Sequence, residues 1–399
     1  MTARHSESSL RVVLGVTGGI AAYKAVQIAR SLVTRGHQVT VIPTVSALKF
    51  VGRPTWEAIS RSDVPVDLFD GVAEVTHVAL GQQADLVIVA PATANFLANY
   101  AHGTAEDLLG TTLLATNAPV VVAPAMHTEM WENPATTENL ATLVARGVHV
   151  IGPESGPLTG QDSGPGRMSE PEDIVDFALS VVGPQPLAGQ KVLISAGGTR
   201  EPIDPVRFIG NRSTGAMGVA LAQVAAALGA EVTLVHGSLE VSLPRGVDCV
   251  FAPTAAKMHA EMTARFPHSA LTIMAAAVAD WSVQPAPEKL SKADGADWPE
   301  LAPTPDIAAE LGASKTAEQQ LVVFAAETTS DDEELLVRAR AKMESKSADV
   351  VVANRVGEQV GFGQTDTAVW IVQRSGAPVL STGSKLTVAG HLFDVLLSS

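Results

Sequence analysis

One local pattern occurs twice in this chain. From Leu10 to Thr44, LRVVLGVTGGIAAYKAVQIARSLVTRGHQVTVIPT reads as apolar strand, Gly-Gly turn, amphipathic helix and second strand. Lys191 to Gly237 repeats that order, with KVLISAGGTREP leading to NRSTGAMGVALAQVAAALGAEVTLVHG. A short, mainly apolar strand, running straight into glycines and a helix, belongs in a parallel sheet covered on both faces. Bare turn N–H groups beside a helix N-terminus can hold an anion, so two phosphate-bearing ligands are expected. The two turns differ in sequence and loop length, which predicts two nucleotide-fold domains with different ligands rather than a duplicated function. Taken alone, the glycines also suit plain tight turns.

Length and composition bound the rest. The 399 residues, 46% hydrophobic and 17% charged, suffice for two ordinary cores. A formal charge of −15, with no basic run, argues against a nucleic-acid surface. One cysteine, Cys249, excludes an intramolecular disulfide and a cysteine-rich metal site and fits a reducing, cytoplasmic setting. The polar start MTARHSESS and the lack of a long apolar run predict neither a signal peptide nor a membrane span.

In the first half, DLVIVAPATAN (Asp85 to Asn95) and APVVVAPAM (Ala118 to Met126) read as central strands, separated by helical patterns at Tyr23–Arg35, Ala105–Thr116 and Pro134–Arg146. Ligands gather at strand carboxyl ends in such sheets. Gly18-Gly19, Pro43–Ala47, Pro91–Asn95 and Pro124–Met130 are therefore expected to share one rim. The segment ESGPLTGQDSGPGRM, between Pro153 and Met168, is too rich in Gly and Pro for a regular element and reads as a flap or a plain surface loop. VVGPQPLAGQ then breaks the pattern. The expected division is a first domain over 1–183, a linker over 184–190 and a second domain over 191–399. Strands are expected at Val192–Ala196, Glu231–Val235, Leu271–Ala275, Leu321–Ala325 and Asp349–Ala353, with helices at Met217–Leu228, Thr254–Phe266 and Asp331–Lys346. A hairpin over Ala368–Gln373 and Ala377–Thr382 and a last helix complete the chain. The fold class is α/β, two doubly wound Rossmann-like or flavodoxin-like domains.

TGGIAAYK, VAPATANFLANYAHG, AEDLL, APAMHTEMWENP and GPGRM resemble the flavin-dependent phosphopantothenoylcysteine decarboxylase family. SAGGTREPIDPVRFIGNRSTGAMG, AAAVADW, PEK, TPDIA, FAAET and the pair Lys342 and Lys346 resemble phosphopantothenate-cysteine ligase. Their order matches the bifunctional family of coenzyme A biosynthesis over nearly the whole chain. For the second half, the resemblance implies that CTP activates the carboxylate of 4'-phosphopantothenate as an acyl-cytidylate, with Mg2+ or Mn2+ balancing the triphosphate, before the cysteine amine attacks. Lysines and metal then meet the charge demand of phosphoryl transfer. By family match Lys289 has that catalytic role, and Met274, Ala275, Ala276, Asp280, Pro305, Asp306, Ile307, Ala308, Phe324, Lys342 and Lys346 bind CTP, with Asp280 shared with the metal. Asn211 would polarise the acyl-cytidylate carbonyl, and Arg207 would contact the substrate phosphate. Without the resemblance, Lys342 and Lys346 read as a solvated helix face and Asp306 as a simple N-cap. Thr304 stands where the family carries Asn. Ala216 stands where it often carries Lys, and Arg212 is the expected replacement.

For the first half, the resemblance implies FMN, which oxidises the CH2-SH group to a thioaldehyde and so supplies the missing electron sink for loss of CO2, then returns the electrons to give 4'-phosphopantetheine. Gly18, Gly19 and Ile20 would cradle the FMN phosphate near Ser46, with Thr93 and Asn95 reaching the flavin. His77 matches the catalytic histidine. Met126 and Asp162 are expected at the substrate. His127 replaces the Asn that holds the substrate carboxylate, and Thr159-Gly160-Gln161-Asp162 replaces a segment with a cysteine proton donor, leaving His127, Asp162 or water for that task. The alternatives are a ligase fused to a flavin domain of impaired chemistry and a non-catalytic flavin-binding regulatory protein. The family also implies a homo-oligomer, with flavin domains in trimers that assemble further and ligase domains in dimers, and small-molecule substrates as the partners.

Overall fold

Arg11–Val16 forms the first strand, β1, because the five residues after Arg11 are apolar or glycine and all are buried. The chain then turns into α1 (Ala22–Thr34), whose buried Ala22, Ala25, Ile28, Ala29 and Leu32 recur at helical spacing and lay one stripe on the sheet. β2 (Gln38–Pro43), α2 (Arg53–Ser60), α3 (Thr76–Gln83), β3 (Leu86–Ala92), α4 (Ala94–His102) and α5 (Leu108–Ala115) follow. Next come β4 (Val120–Pro124), α6 (Thr128–Trp131), α7 (Pro134–Ala145), β5 (His149–Val150), β6 (Glu154–Pro157), β7 (Ser163–Arg167) and α8 (Pro171–Val182). The computed structural model describes residues 9–68, 76–158, 163–291, 299–329, 331–356 and 366–398. Contacts divide the chain into Met1–Pro184 and Gln185–Ser399.

The first unit has one parallel sheet in the order β2-β1-β3-β4-β5. Every residue of β3 and β4 is buried, as expected for strands covered on both faces. The expectation of no regular element in the flap is corrected. β6 and β7 pair antiparallel, Gly156 opposite Gly164 and Pro157 opposite Ser163. A two-stranded ribbon leaves each arm an unpaired edge, which tolerates proline where a central strand would not.

In the second unit, β8 (Lys191–Ala196), β9 (Arg200–Pro202), β10 (Phe208–Gly210), α9 (Ala216–Ala227), β11 (Glu231–His236), β12 (Asp248–Phe251) and α10 (Ala255–Arg265) come first. They are followed by β13 (Leu271–Met274), β14 (Trp281–Ser282), β15 (Ala302–Pro303), α11 (Ile307–Ser314), β16 (Gln320–Glu327) and α12 (Asp332–Ser345). β17 (Val350–Arg355), β18 (Asp366–Gln373), β19 (Val379–Ser384) and α13 (Lys385–Leu397) complete the unit. The sheet runs β12-β11-β8-β13-β16-β17-β18-β19, parallel up to β17 and antiparallel beyond. Both units are thus α/β with helices on a mainly parallel sheet. Gln185 and Leu187, within the expected linker, are tied to the end of α9, since Gln185 Nε2 donates to Ala227 O and Leu187 N to Leu228 O. Leu187 is buried there, so this stretch packs on the second unit. Among the described residues no helix is long and apolar enough to cross a membrane.

One face of the second sheet packs against α9 and α13, where Leu392, Phe393 and Leu396 meet Ile194, Val352 and Ile371 in one buried cluster. Phe393 is 1% exposed. Phe393→Ala is expected to destabilise the full chain by about 3–5 kcal/mol, read as a lower urea midpoint.

Candidate active sites

In the first sheet the strand order reverses between β1 and β3, so a crevice opens at their carboxyl ends. Threonines bind its two walls together. Thr17 Oγ1 donates to Pro91 O (2.7 Å) and lies 3.2 Å from Thr93 Oγ1, while Thr93 N donates back to Thr17 Oγ1 (3.1 Å). Thr93 also caps α4 by accepting from Phe96 N. A Cβ on Gly18 would stand 2.3 Å from the Ser46 Cβ, so only glycine lets the turn lie against the loop after β2. Ala125 N donates to Ala92 O, which brings in the loop after β4. The four segments expected to share a rim do share it. On it Ile20, Ser46 and Asn95 are exposed and Gly18 and Gly19 half-buried.

The flap is rooted on the same loop. Met126 N donates to Gly166 O (3.0 Å), and Gly166, at φ +146°, has no room for a Cβ, which would fall 2.1 Å from Met126 O. His127 follows at once as the residue before α6 and so stands at the flap root. Below it, Glu170 accepts from Arg167 of the flap and from Lys24 of α1 (3.1 Å). Asp162, Thr159, Gly160 and Gln161 lie outside the described residues. His77 is on the first turn of α3, and its buried Nδ1 has no hydrogen-bond partner among the described residues. An orphaned ring nitrogen of this kind fits a residue whose partner is a ligand.

Glu154 on β6 joins the acidic side of this cluster. Burial, and then the Asp173 and Glu170 carboxylates, push its carboxyl up against the opposing pull of Arg167 and Lys24. A carboxyl raised on folding stabilises fully below the ordinary pKa of about 4.3, and that stability is lost as pH rises through the raised value. Glu154→Gln is therefore expected to raise the thermal midpoint at pH 7, with the gain vanishing near pH 4, as read by unfolding scans at the two pH values.

In the second sheet the reversal lies between β8 and β13. The expected strand Leu271–Ala275 ends one residue earlier, at Met274. Beyond it the chain crosses the end of β8. Ala276 N donates to Ser195 Oγ (3.2 Å), Ala277 N to Gly197 O (2.8 Å) and Ala279 N to Thr199 Oγ1 (2.9 Å). These bonds replace a sheet ladder and hold Ala275 to Asp280 as a loop at the crevice. Asn211 Nδ2 donates to Val278 O (2.9 Å), joining the NRSTG segment to it. A cavity of about 400 Å3 opens beside this junction, lined by Thr199, Arg200, Asn211, Arg212, Ser213 and Glu240 among others. Arg212 lines it close to Asn211, and the Arg200 guanidinium lies 4.7 Å over the Phe208 ring.

Thr304, where the family pattern has Asn, gives its hydroxyl to Ala279 O (2.6 Å) and its N–H to Asp280 O (3.0 Å). The short hydroxyl thus fastens the start of α11 to the crevice loop. Pro305 to Ala308 continue from that anchor into the first turn of α11. Asp306 is the N-cap of α11, accepting from Ala309 N (3.1 Å), and also pairs with Lys346. Lys342 pairs with Glu327 at 3.5 Å. The two lysines do lie together, but Lys346 is the C-cap of α12 rather than a residue within it. Asp280 and Lys289 are exposed, and Phe324 is half-buried on β16. Arg207, expected at a phosphate, donates from Nε (2.9 Å) and Nη2 to Asp204 and from Nη2 to Leu290 O (2.7 Å). Sequence reasoning missed Asp204 and Glu327. The Asp-x-Val-Arg turn at 204–207 was the available signal for the first.

One parallel and one mainly parallel sheet, each with a loop-lined crevice at its reversal of strand order, define a protein of two nucleotide-type folds. Residues 1–183 match the family model "Flavoprotein", and residues 187–399 match "DNA/pantothenate metabolism flavoprotein C-terminal domain". The coenzyme A biosynthesis bifunctional protein CoaBC of Mycobacterium bovis is 45% identical over 408 residues, covering 99% of this chain and 98% of that protein. Its counterpart in Vibrio parahaemolyticus is 42% identical over 391 residues, covering 96% and 97%. A crystal structure of the C-terminal domain of a CoaBC protein is 33% identical over 54% of this chain and 97% of its own, with a TM-score of 0.45. The chain belongs to the CoaBC family of bifunctional coenzyme A biosynthesis proteins.

Proposed function

We propose that this chain joins 4'-phosphopantothenate to cysteine with CTP in its second unit, through an acyl-cytidylate with release of pyrophosphate and CMP, and decarboxylates the product to 4'-phosphopantetheine in its first. The full-length relationship, with each unit matched by its own family model, carries this reading. Membership of this family makes it a ligase and a decarboxylase in one polypeptide. We place it in the cytoplasm, as its single cysteine allows.

For ligation, the reading assigns the triphosphate to Lys289, Lys342 and Lys346, and the nucleotide to Met274, Ala275, Ala276, Asp280, Phe324 and the Pro305–Ala308 turn. For all of these but Lys289, support comes from the bonds that draw the loops after β13, before α11 and at the end of α12 together. Charge delocalised over the transferring phosphoryl group needs fixed cations, and lysines supply them. Among the described residues no three His, Cys, Asp or Glu side chains cluster as a resident metal site. Asp280 would hold the Mg2+ or Mn2+ that balances the triphosphate charge. Asn211 polarises the acyl carbonyl, and Arg212 beside it takes the phosphate role for which Ala216 has no charge.

For decarboxylation, FMN would supply the reversible two-electron sink that the substrate lacks. Gly18, Gly19 and Ile20 hold its phosphate, Ser46, Thr93 and Asn95 orient it, and His77 moves the thiol-side proton. The close Gly18–Ser46 approach and the unpaired His77 Nδ1 support this fit. Met126 and His127 face the substrate carboxylate. His127, at the flap root, is the donor that stands in for a flap cysteine, with Asp162 the second candidate. We also propose a homo-oligomer, trimeric in its flavin units and dimeric in its ligase units. Ile20 and Val45, 61% and 70% exposed around the first rim, favour a covering subunit.

Incubation of the purified chain with 4'-phosphopantothenate, cysteine, CTP and Mg2+ is expected to yield 4'-phosphopantetheine and CMP by mass spectrometry. Accumulation of phosphopantothenoylcysteine would show instead a ligase with an impaired flavin unit. Gly18→Ala is expected to remove the flavin absorbance of the purified protein while CMP formation persists at the unaltered rate.

A further inference from the structure

Lys289 is exposed, and the described residues around it, 283–291, form no helix or strand. Something must nonetheless fix its place, and its neighbour is held unusually well. Leu290 N donates to Asp204 Oδ2 (3.2 Å), and Leu290 O accepts from Arg207 Nη2 (2.7 Å). Three residues before Lys289, Ala286 N donates to Ile203 O (2.9 Å). The hub is Asp204, whose side chain is 0% exposed. Its Oδ1 accepts from Val206 N and Arg207 N, both at 2.8 Å, and its Oδ2 accepts from Arg207 Nε, Arg207 Nη2 and Leu290 N. The Arg207 hydrogen bonds hold this carboxyl well below the ordinary range, so it stays ionised at working pH.

We propose that Asp204 is the positioning residue for Lys289, a buried clasp that sets where the lysine of the Pro287-Glu288-Lys289 segment stands during nucleotide transfer. The inference rests on the assignment of Lys289 to that step. A buried carboxylate is a costly way to hold a turn, because apolar packing does the same with no charge to desolvate. It suits a task that packing does poorly, which is to grip the backbone of an irregular segment in one register. The two oxygens divide the work, since Oδ1 closes the 204–207 turn and Oδ2 reaches across to Leu290. Asparagine oriented to keep the first set would turn an NH2 toward Arg207 and Leu290 N, three donors with no acceptor. Asp204→Asn therefore frees the lysine segment and spares the turn.

The test measures CTP-dependent pyrophosphate release by the full chain, for the wild type, Asp204→Asn, Lys289→Gln and the double variant. A misplacement of about 1 Å costs on the order of 100-fold in rate, so Asp204→Asn is expected to lower kcat by about 10- to 100-fold, with KM for CTP within about two-fold. In the Lys289→Gln background the same change is expected to add nothing, because it acts through the missing lysine. An unchanged kcat, or an equal further loss in the Lys289→Gln background, overturns the clasp. A Lys289→Gln enzyme of wild-type rate overturns the assignment beneath it, a result distinct from the other two. Should Asp204→Asn not fold, Leu290→Pro deletes the gripped N–H while keeping Asp204 and Arg207 in place in the sequence, and a wild-type kcat there overturns the clasp.

Discussion

A parallel strand whose two neighbours are joined to it over opposite faces leaves its carboxyl end uncovered, and both crevices of this protein follow from that constraint. β1 lies between β2 and β3, and β8 lies between β11 and β13. At each of those ends the backbone leaves the ladder, and its N–H and C=O groups need partners other than a strand. Thr17 supplies them in the first unit, to Pro91 O and Thr93 N, and Ser195 and Thr199 supply them in the second. These hydroxyls turn an unavoidable gap in the sheet into a surface of fixed shape. The loops they hold carry Gly18, Gly19 and Thr93 in the first unit and Ala275 to Asp280 in the second.

The alternation of strands and helices was legible because it is carried by burial. Strands such as Leu86–Ala92 and Val120–Pro124 are buried along their whole length, and no solvent-facing pattern survives in such a run. The rim around Gly18 was legible for the same reason, since parallel strands put their carboxyl ends on one side. What escaped was short or irregular. The ladders β9–β10 and β14–β15 have two or three pairs each, too few for any periodicity. The flap hairpin is built from the glycines and prolines that usually mark its absence. α8 was passed over although Pro171 at its start and Glu172 and Asp173 in its first turn are ordinary start signals.

Side-chain partnerships across the chain were the least legible layer. Asp204 and Leu290 are 86 residues apart, and Asp306 and Lys346 are 40 apart. No local pattern brackets such pairs, so a carboxylate that grips a distant backbone looks like one that merely closes a turn. Departures from the family pattern show the same gap from the other direction. Thr304 looks like a lost amide until its hydroxyl is seen on Ala279 O, where it keeps the start of α11 against the crevice.

The ligase lysines add a point about electrostatics. Lys342 and Lys346 are paired with Glu327 and Asp306, and their side chains are 31% and 21% exposed. Partly buried ammonium groups with no counter-charge would repel one another and lose hydration, so the carboxylates keep them side by side before any anion arrives. Under the proposed assignment, a triphosphate at this site would exchange partners with Glu327 and Asp306 instead of creating pairs from solvated ions. Asp306 is tied to that geometry twice, since the same carboxylate caps α11 and holds Lys346. One short carboxylate thus fixes the helix start and the cation to each other.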